Sequence, residues 1–298
     1  MISRACALLF SHAVVLAVVF GCGGWWLPSL VHAAPGNTAA GDSSRAIKME
    51  LVDSLLTDPE VLWVGTSTSR EINPAFIRAE TGRVAFNGSL SGARTFDCYM
   101  MNRYITDHFA HQSHLIAGVD VEQFRNRPVI PWRERAAGSS PPALDVYDSL
   151  GFRVHNPKED DNLDVFQTAA TFRKKYATFH ALDPGAKADF RDMVRTANRG
   201  GVVPVVVVMP VHPRLERLLA DTGRADRRIE LRTFFASLQH EGYAIRVLDA
   251  SDPSLVSATE RDFYDGNHMR PSGSRKLVHF MHEQGFLDRI SAPPLYAG

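Results

Sequence analysis

A serine, an aspartate and a histidine stand in this chain where their side chains could do nucleophilic chemistry. Gly65-Thr66-Ser67-Thr68 directly follows the apolar run Val61-Leu62-Trp63-Val64, and Asp265-Gly266-Asn267-His268 lies near the C-terminus. A serine hydroxyl is a weak nucleophile until a base takes its proton. A histidine base works best when a carboxylate fixes its tautomer and stabilises its cationic form. Of the 12 histidines, only His268 has a carboxylate three residues earlier in a loop that opens a helix, here at Pro271. That spacing lets Asp265 reach Nδ1 while Nε2 faces a serine delivered by a strand. The structural alternatives are a turn serine capping the helix that follows it and an exposed loop histidine. Thr68 and Ser69 are neighbouring hydroxyls that could be confused with Ser67.

Such a set needs a rigid platform. Apolar runs at 61–64, 84–86, 115–119, 202–209 and 244–248 read as strands, and 47–56, 96–109, 186–198, 224–240 and 272–284 read as helices. Continuous apolar strands alternating with helices predict an α/β fold whose parallel sheet is covered on both faces. In an open parallel sheet, functional groups collect where loops leave the carboxyl ends of the strands. Ser67, residues 87–92, Asp120 and residues 209–213 follow the first four strands and open onto that one edge. The irregular connection at about 121–200 reads as an insertion there, within a domain spanning 47–290 and followed by a tail at 291–298.

The 298 residues are 45% hydrophobic and 22% charged, with zero formal net charge, which argues against a nucleic-acid partner. Between Arg4 and Asp42 there is no charged residue, and residues 1–33 read as an export signal or an N-terminal membrane anchor. Val31-His32-Ala33 fits a small-residue cleavage site, Cys22 raises lipidation as a minor alternative, and residues 34–46 read as a flexible linker. Only Cys98 would survive cleavage, so the mature protein has no pair for an internal disulfide. His108, His111 and His114 lack a supporting carboxylate set, and no metal or other cofactor is expected.

Taken in order, Val61-Leu62-Trp63-Val64-Gly65-Thr66-Ser67, Phe86-Asn87-Gly88-Ser89-Leu90-Ser91-Gly92, Ile116-Ala117-Gly118-Val119-Asp120 and Asp265-Gly266-Asn267-His268 resemble the sequence blocks of the SGNH/GDSL hydrolase superfamily. The details are most similar to an exported branch that includes D-alanyl-lipoteichoic acid transfer proteins and alginate-type O-acetyltransferases. There a segment like Gly65-Thr66-Ser67-Thr68-Ser69-Arg70 stands in for Gly-Asp-Ser-Leu. The resemblance implies a three-layer α/β/α fold with a five-stranded parallel flavodoxin-like sheet. It also implies catalytic Ser67, Asp265 and His268, and an oxyanion hole from the N–H groups of Ser67 and Gly92, with Gly88 the alternative glycine.

One block departs from the family pattern. Asp120 stands where founding members carry an oxyanion-donating asparagine, and an ionised carboxylate would repel the oxyanion. Asp120, Arg70 and His212 are candidate substrate-binding residues, with surface pairing for Arg70 and backbone bonding for His212 as the plainer alternatives. The function implied is an exported, serine-dependent esterase or O-acyltransferase in the periplasm or cell envelope. Its substrate would be an acylated small molecule or glycan, with a membrane acyl-donor protein as a possible partner. The rival reading is a non-catalytic envelope protein that binds a polymer or scaffolds an assembly.

Overall fold

Period-two alternation along short apolar strands builds two cores, one on each face of a sheet. The computed structural model describes residues 43–109, 112–125, 146–154 and 164–290. The leader, most of the 34–46 linker and the 291–298 tail lie outside the described residues. The strands are β1 (Val61–Gly65), β2 (Ala85–Asn87), β3 (His114–Val119), β4 (Val146–Tyr147), β5 (Arg153–Val154), β6 (Val205–Val208) and β7 (Arg246–Asp249). Five of them form a parallel sheet in the order β2-β1-β3-β6-β7, while β4 and β5 make a separate antiparallel pair. Counting only the strands of the large sheet, this is the doubly wound order 2-1-3-4-5.

The helices are α1 (Ser43–Asp53), α2 (Pro74–Thr81), α3 (Thr95–His108), α4 (Val165–Tyr176), α5 (Pro184–Arg199), α6 (Pro213–Leu218), α7 (Arg224–His240) and α8 (Pro271–Glu283). Leu62, Val64, Leu115, Ala117, Val206 and Val208 pack with Met101, Phe190 and Phe235 from α3, α5 and α7. Their alternating neighbours Val61, Trp63, Ile116, Val205 and Val207 pack with Ile77, Leu277, Val278 and Met281 from α2 and α8. Sheet and helices therefore form three layers.

Two sequence expectations shift. The first helix starts at Ser43, inside the stretch read as linker, and ends at Asp53 instead of 56. The 121–200 connection holds the β4–β5 pair, α4 and α5, and α5 buries Phe190, Met193 and Val194 in the main core. Asp183 caps that helix by accepting from the Ala186 N–H, and Pro184 opens it.

Register fixes the functional edge. Gly65 of β1 lies opposite Gly118 of β3, so Ser67 and Asp120 each follow two residues after a paired glycine. These glycines leave room for the turn behind β1. A Cβ at Gly65 would sit 2.7 Å from the Gly118 carbonyl oxygen, and one at Gly118 would meet Ser69 and lie 2.9 Å from Trp63 Nε1. Gly118→Ala is expected to lower unfolding stability by about 1–3 kcal/mol through overpacking. Urea denaturation checks this as a lower midpoint with an unchanged slope.

Candidate active site

The strand order reverses between β1 and β3, and a crevice at the carboxyl ends of the strands is the expected place for a ligand. Ser67 sits there in a 3-10 turn, Ser67–Ser69, that begins as soon as β1 ends. Asn87 holds this turn from below. Its Nδ2 donates to the carbonyls of Ser69 (2.9 Å) and Ile72 (2.7 Å), and its Oδ1 accepts from the Ser89 N–H at 2.9 Å. Asn87 is fully buried, so these bonds satisfy an amide that would otherwise be stranded in the core.

His268 arrives from the other end of the chain on a tight loop. The Phe263–Met269 bridge and a Tyr264 N–H to His268 carbonyl bond of 2.9 Å close that loop, and α4 braces it through Thr168, which accepts from the Gly266 N–H at 3.3 Å. A Cβ at Gly266 would lie 2.6 Å from Thr168 Cγ2, so only glycine lets helix and loop approach this closely.

The three side chains meet. His268 Nε2 lies 3.0 Å from Ser67 Oγ, and His268 Nδ1 lies 2.8 Å from Asp265 Oδ2. The other Asp265 oxygen accepts from the N–H groups of Asn267 and His268, both at 2.8 Å. Burial pushes the Asp265 carboxyl up, but the His268 ring, by hydrogen bond and charge, and the two backbone donors outweigh it and hold it below the usual carboxylate range. An ionised Asp265 places the neutral ring's proton on Nδ1 and leaves Nε2 as an acceptor for the serine proton. Thr68 turns away and donates to Asp120 Oδ2 at 3.4 Å, while Ser69 is buried beneath. Of the three successive hydroxyls, only Ser67 reaches the imidazole.

Gly92 faces the serine across a cavity of about 90 Å³ that Ser67, Gly92, Asp120 and Asn267 help to line. Gly92 has φ +62°, a left-handed conformation that glycine adopts without strain. Its loop is pinned where the buried Asp97 accepts from the Arg94 N–H at 2.8 Å and pairs with Arg45 at 3.2 Å. Among the described residues, neither the Ser67 N–H nor the Gly92 N–H donates to a protein acceptor. Two unspent donors beside a nucleophile can stabilise negative charge on a carbonyl oxygen.

No family model matches the chain, and no curated protein sequence does. Solved structures do resemble it. A GDSL-like lipase from Bacteroides thetaiotaomicron VPI-5482 superposes with a TM-score of 0.46 at 9% identity, covering 83% of this chain and 98% of that one. A lipase/acylhydrolase from Enterococcus faecalis gives 0.44 at 11% identity, covering 80% and 100%. An inhibitor-bound aryl esterase from M. smegmatis gives 0.41 at 12%, covering 75% and 96%. At these scores the chemistry must rest on the geometry alone.

The remaining candidates fare differently. Arg70 is buried with Nη1 3.5 Å from Ser91 Oγ and is not among the residues lining the cavity. His212 does not line it either. Its Nδ1 accepts from the Arg214 N–H at 3.0 Å to cap α6, and its own N–H donates to the Gly266 carbonyl, so it positions the histidine loop. Asp120 does line the cavity. It also caps the following 3-10 turn, Val121–Phe124, by accepting from the Gln123 N–H at 3.0 Å.

Several contributors were not read from the sequence. Phe172 and Lys175 of α4 line the cavity together with Glu122, which forms a cluster with Tyr176 and Arg224. Glu122 Oε1 lies 2.5 Å from both Arg224 Nη1 and the Tyr176 hydroxyl, and Arg224 also pairs with Glu216 at 3.1 Å. Burial works against the Glu122 charge, but Arg224 and the Tyr176 hydroxyl outweigh it and hold that carboxyl below its usual range. Asp120 moves the other way. Burial and the Glu122 charge push it up to about 7, against Arg224, the Gln123 N–H and Lys175. The one signal for α4 was Asp164 followed by Ala169, Phe172 and Tyr176, a cap and an apolar stripe at helical spacing.

Proposed function

We propose that this protein is a serine-dependent acyl-transfer enzyme of the SGNH type, an esterase or O-acyltransferase. The observation that carries this is the continuous Ser67–His268–Asp265 hydrogen-bond chain, with the unspent N–H groups belonging to Ser67 and Gly92, which line one cavity. Ser67 Oγ attacks the ester carbonyl as its proton passes to His268 Nε2, and Asp265 stabilises the imidazolium. The Ser67 and Gly92 N–H groups receive the oxyanion. The alkoxide leaves with the proton from His268, forming an acyl-serine. Water or a sugar hydroxyl then gives its proton to His268 and attacks the acyl carbon, and His268 returns that proton to Ser67 Oγ as the acyl–serine bond breaks.

Sites that enclose drug-sized ligands occupy about 300–1,000 Å³. The far smaller cavity here favours a short acyl group such as acetyl over a long chain. The charge-poor leader supports export, with the enzyme working in the periplasm or at the cell envelope on an acylated glycan, free or held by its N-terminal segment. The cavity wall carries three basic groups, Arg94, Arg125 and Lys175, against the acidic Asp120 and Glu122, an excess that suits an acidic polymer better than a neutral lipid. For a transferase, a membrane protein would supply the acyl group.

Mixing residues 34–298 with an activated acetyl ester tests the chemistry. The expected result is a burst of leaving group stoichiometric with enzyme and an acetyl mass increment on the peptide carrying Ser67. Linear release with no covalent adduct would sink the proposal. Adding an acidic oligosaccharide separates the two outcomes, since a transferase acetylates the sugar whereas an esterase yields acetate alone.

A further inference from the structure

The cavity wall contains a further polar side chain, Asp120, beside the serine. Gly65 and Gly118 are paired in adjacent strands, and the chain leaves each strand at the same height, so Ser67 and Asp120 emerge side by side. Both line the cavity with Gly92. One Asp120 oxygen is committed to the Gln123 N–H, while the other, among the described residues, accepts a hydrogen bond only from the Thr68 hydroxyl, at 3.4 Å. That second oxygen is the one with capacity left for a substrate.

What it can do depends on its proton. The charged and titratable groups around it are Glu122 on its own turn, Arg224 at the start of α7, Lys175 near the end of α4 and the buried Cys98 thiol of α3. Arg94 and Arg125 line the same cavity. Among these, Arg224 is already claimed at close range by Glu122, Tyr176 and Glu216. Two carboxyl groups two residues apart therefore divide their roles. Glu122 keeps the negative charge beside Arg224, and a second charge at Asp120 would face it across little solvent.

We propose that Asp120 is a catalytic residue that, as the neutral acid, donates its O–H to the acyl oxyanion alongside the Ser67 and Gly92 N–H groups. The inference rests on the acyl-transfer reading above. No proton is transferred to product, because the bond strengthens as charge develops on the oxygen and relaxes as the tetrahedral intermediate collapses. Ionisation would turn this donor into a repelling charge, so the acyl-transfer rate falls on the alkaline side as Asp120 loses its proton.

The test compares Asp120→Asn and Asp120→Ala with the unaltered protein, using an activated acetyl ester between pH 5 and 9.5. An amide donates at every pH. The ratio of kcat for Asp120→Asn to that of the parent should therefore climb at least about 10-fold from pH 6 to pH 9, as the alkaline fall disappears. Asp120→Ala should lower kcat by about 10²–10³ with little change in KM, as for loss of one oxyanion donor. A parent profile with no alkaline fall, the same fall in Asp120→Asn, or full kcat in Asp120→Ala would overturn the proposal.

Melting temperature gives a readout independent of turnover. A carboxyl whose folded pKa is raised contributes stability below its unfolded pKa that is lost as pH rises through the folded one. The melting temperature of Asp120→Asn minus that of the parent should thus grow between about pH 4 and 7 and then level off. A flat difference overturns the neutral carboxyl. Absence of an acyl-enzyme in the parent, with the melting difference intact, would instead defeat the acyl-transfer reading.

Discussion

Ser67→Ala abolishes the acyl-enzyme burst and lowers kcat on an activated acetyl ester by about 10⁴-fold or more, on the scale of nucleophile removal in other Ser-His-Asp enzymes. The size follows from the absence of any substitute. Thr68 is engaged with Asp120 and Ser69 lies buried under the turn, so no other hydroxyl of this segment reaches the 3.0 Å position at His268 Nε2. Removing Oγ leaves Asp265, His268 and both oxyanion N–H groups in place, and substrate binding should change little. The drop therefore falls on kcat and not on KM. Stopped-flow release of the leaving group and intact-protein mass measure the two parts, and a surviving burst in Ser67→Ala would remove Ser67 from the mechanism. Circular dichroism matching the parent's excludes misfolding as the cause.

The apolar runs made the sheet legible because β1, β2, β3 and β6 are buried in a layer covered on both sides, where most positions are apolar, and only the edge strand β7 is half-exposed. Val205–Val208 is wholly buried and needs no alternation to be found. The ends of the elements were less visible, since the run at 202–209 includes Val202 and Met209, which are buried but lie outside β6. The Ser67, Asp265 and His268 set was legible for a different reason, namely that a histidine with a carboxylate at i−3 before a helix-opening proline is a local pattern.

Contacts made at long range were not legible. Asn87 looks like any turn asparagine until the Ser69 and Ile72 carbonyls are brought to its amide. Arg224 reads as one more charge at a helix start, yet folding places it against Glu122, more than a hundred positions away in sequence. That pairing keeps the Glu122 charge beside Asp120, where it adds to the larger effect of burial. From sequence the Asp120 carboxylate counted against an oxyanion donor and was left as a candidate substrate contact, whereas burial and then the neighbouring Glu122 charge raise its pKa in the folded protein.

Asp265→Asn is expected to lower kcat by about 10⁴-fold while leaving the fold intact, because the substitution changes a tautomer and not a shape. An asparagine fits the same space, and its carbonyl oxygen can still accept the Asn267 and His268 N–H groups now held at 2.8 Å. Its amide nitrogen then faces His268 Nδ1 as a donor, so the ring must accept there and carry its proton on Nε2. A protonated Nε2 points a hydrogen at Ser67 and cannot take the serine proton. The imidazolium of the transition state would also lose its counter-charge. The pH dependence has a defined sign. Because the folded Asp265 carboxyl lies below the usual range, the stability it contributes is full above the unfolded pKa and is lost as pH falls through the folded value. Asp265→Asn should therefore melt below the parent at neutral pH, and the two should converge as the pH falls through the folded value. A parent-like kcat in Asp265→Asn would mean that the carboxylate only caps the loop, with Ser67 and His268 working as a dyad. The difference between these outcomes lies in one proton on one ring, which nitrogen-15 shifts of the His268 imidazole in parent and variant report directly.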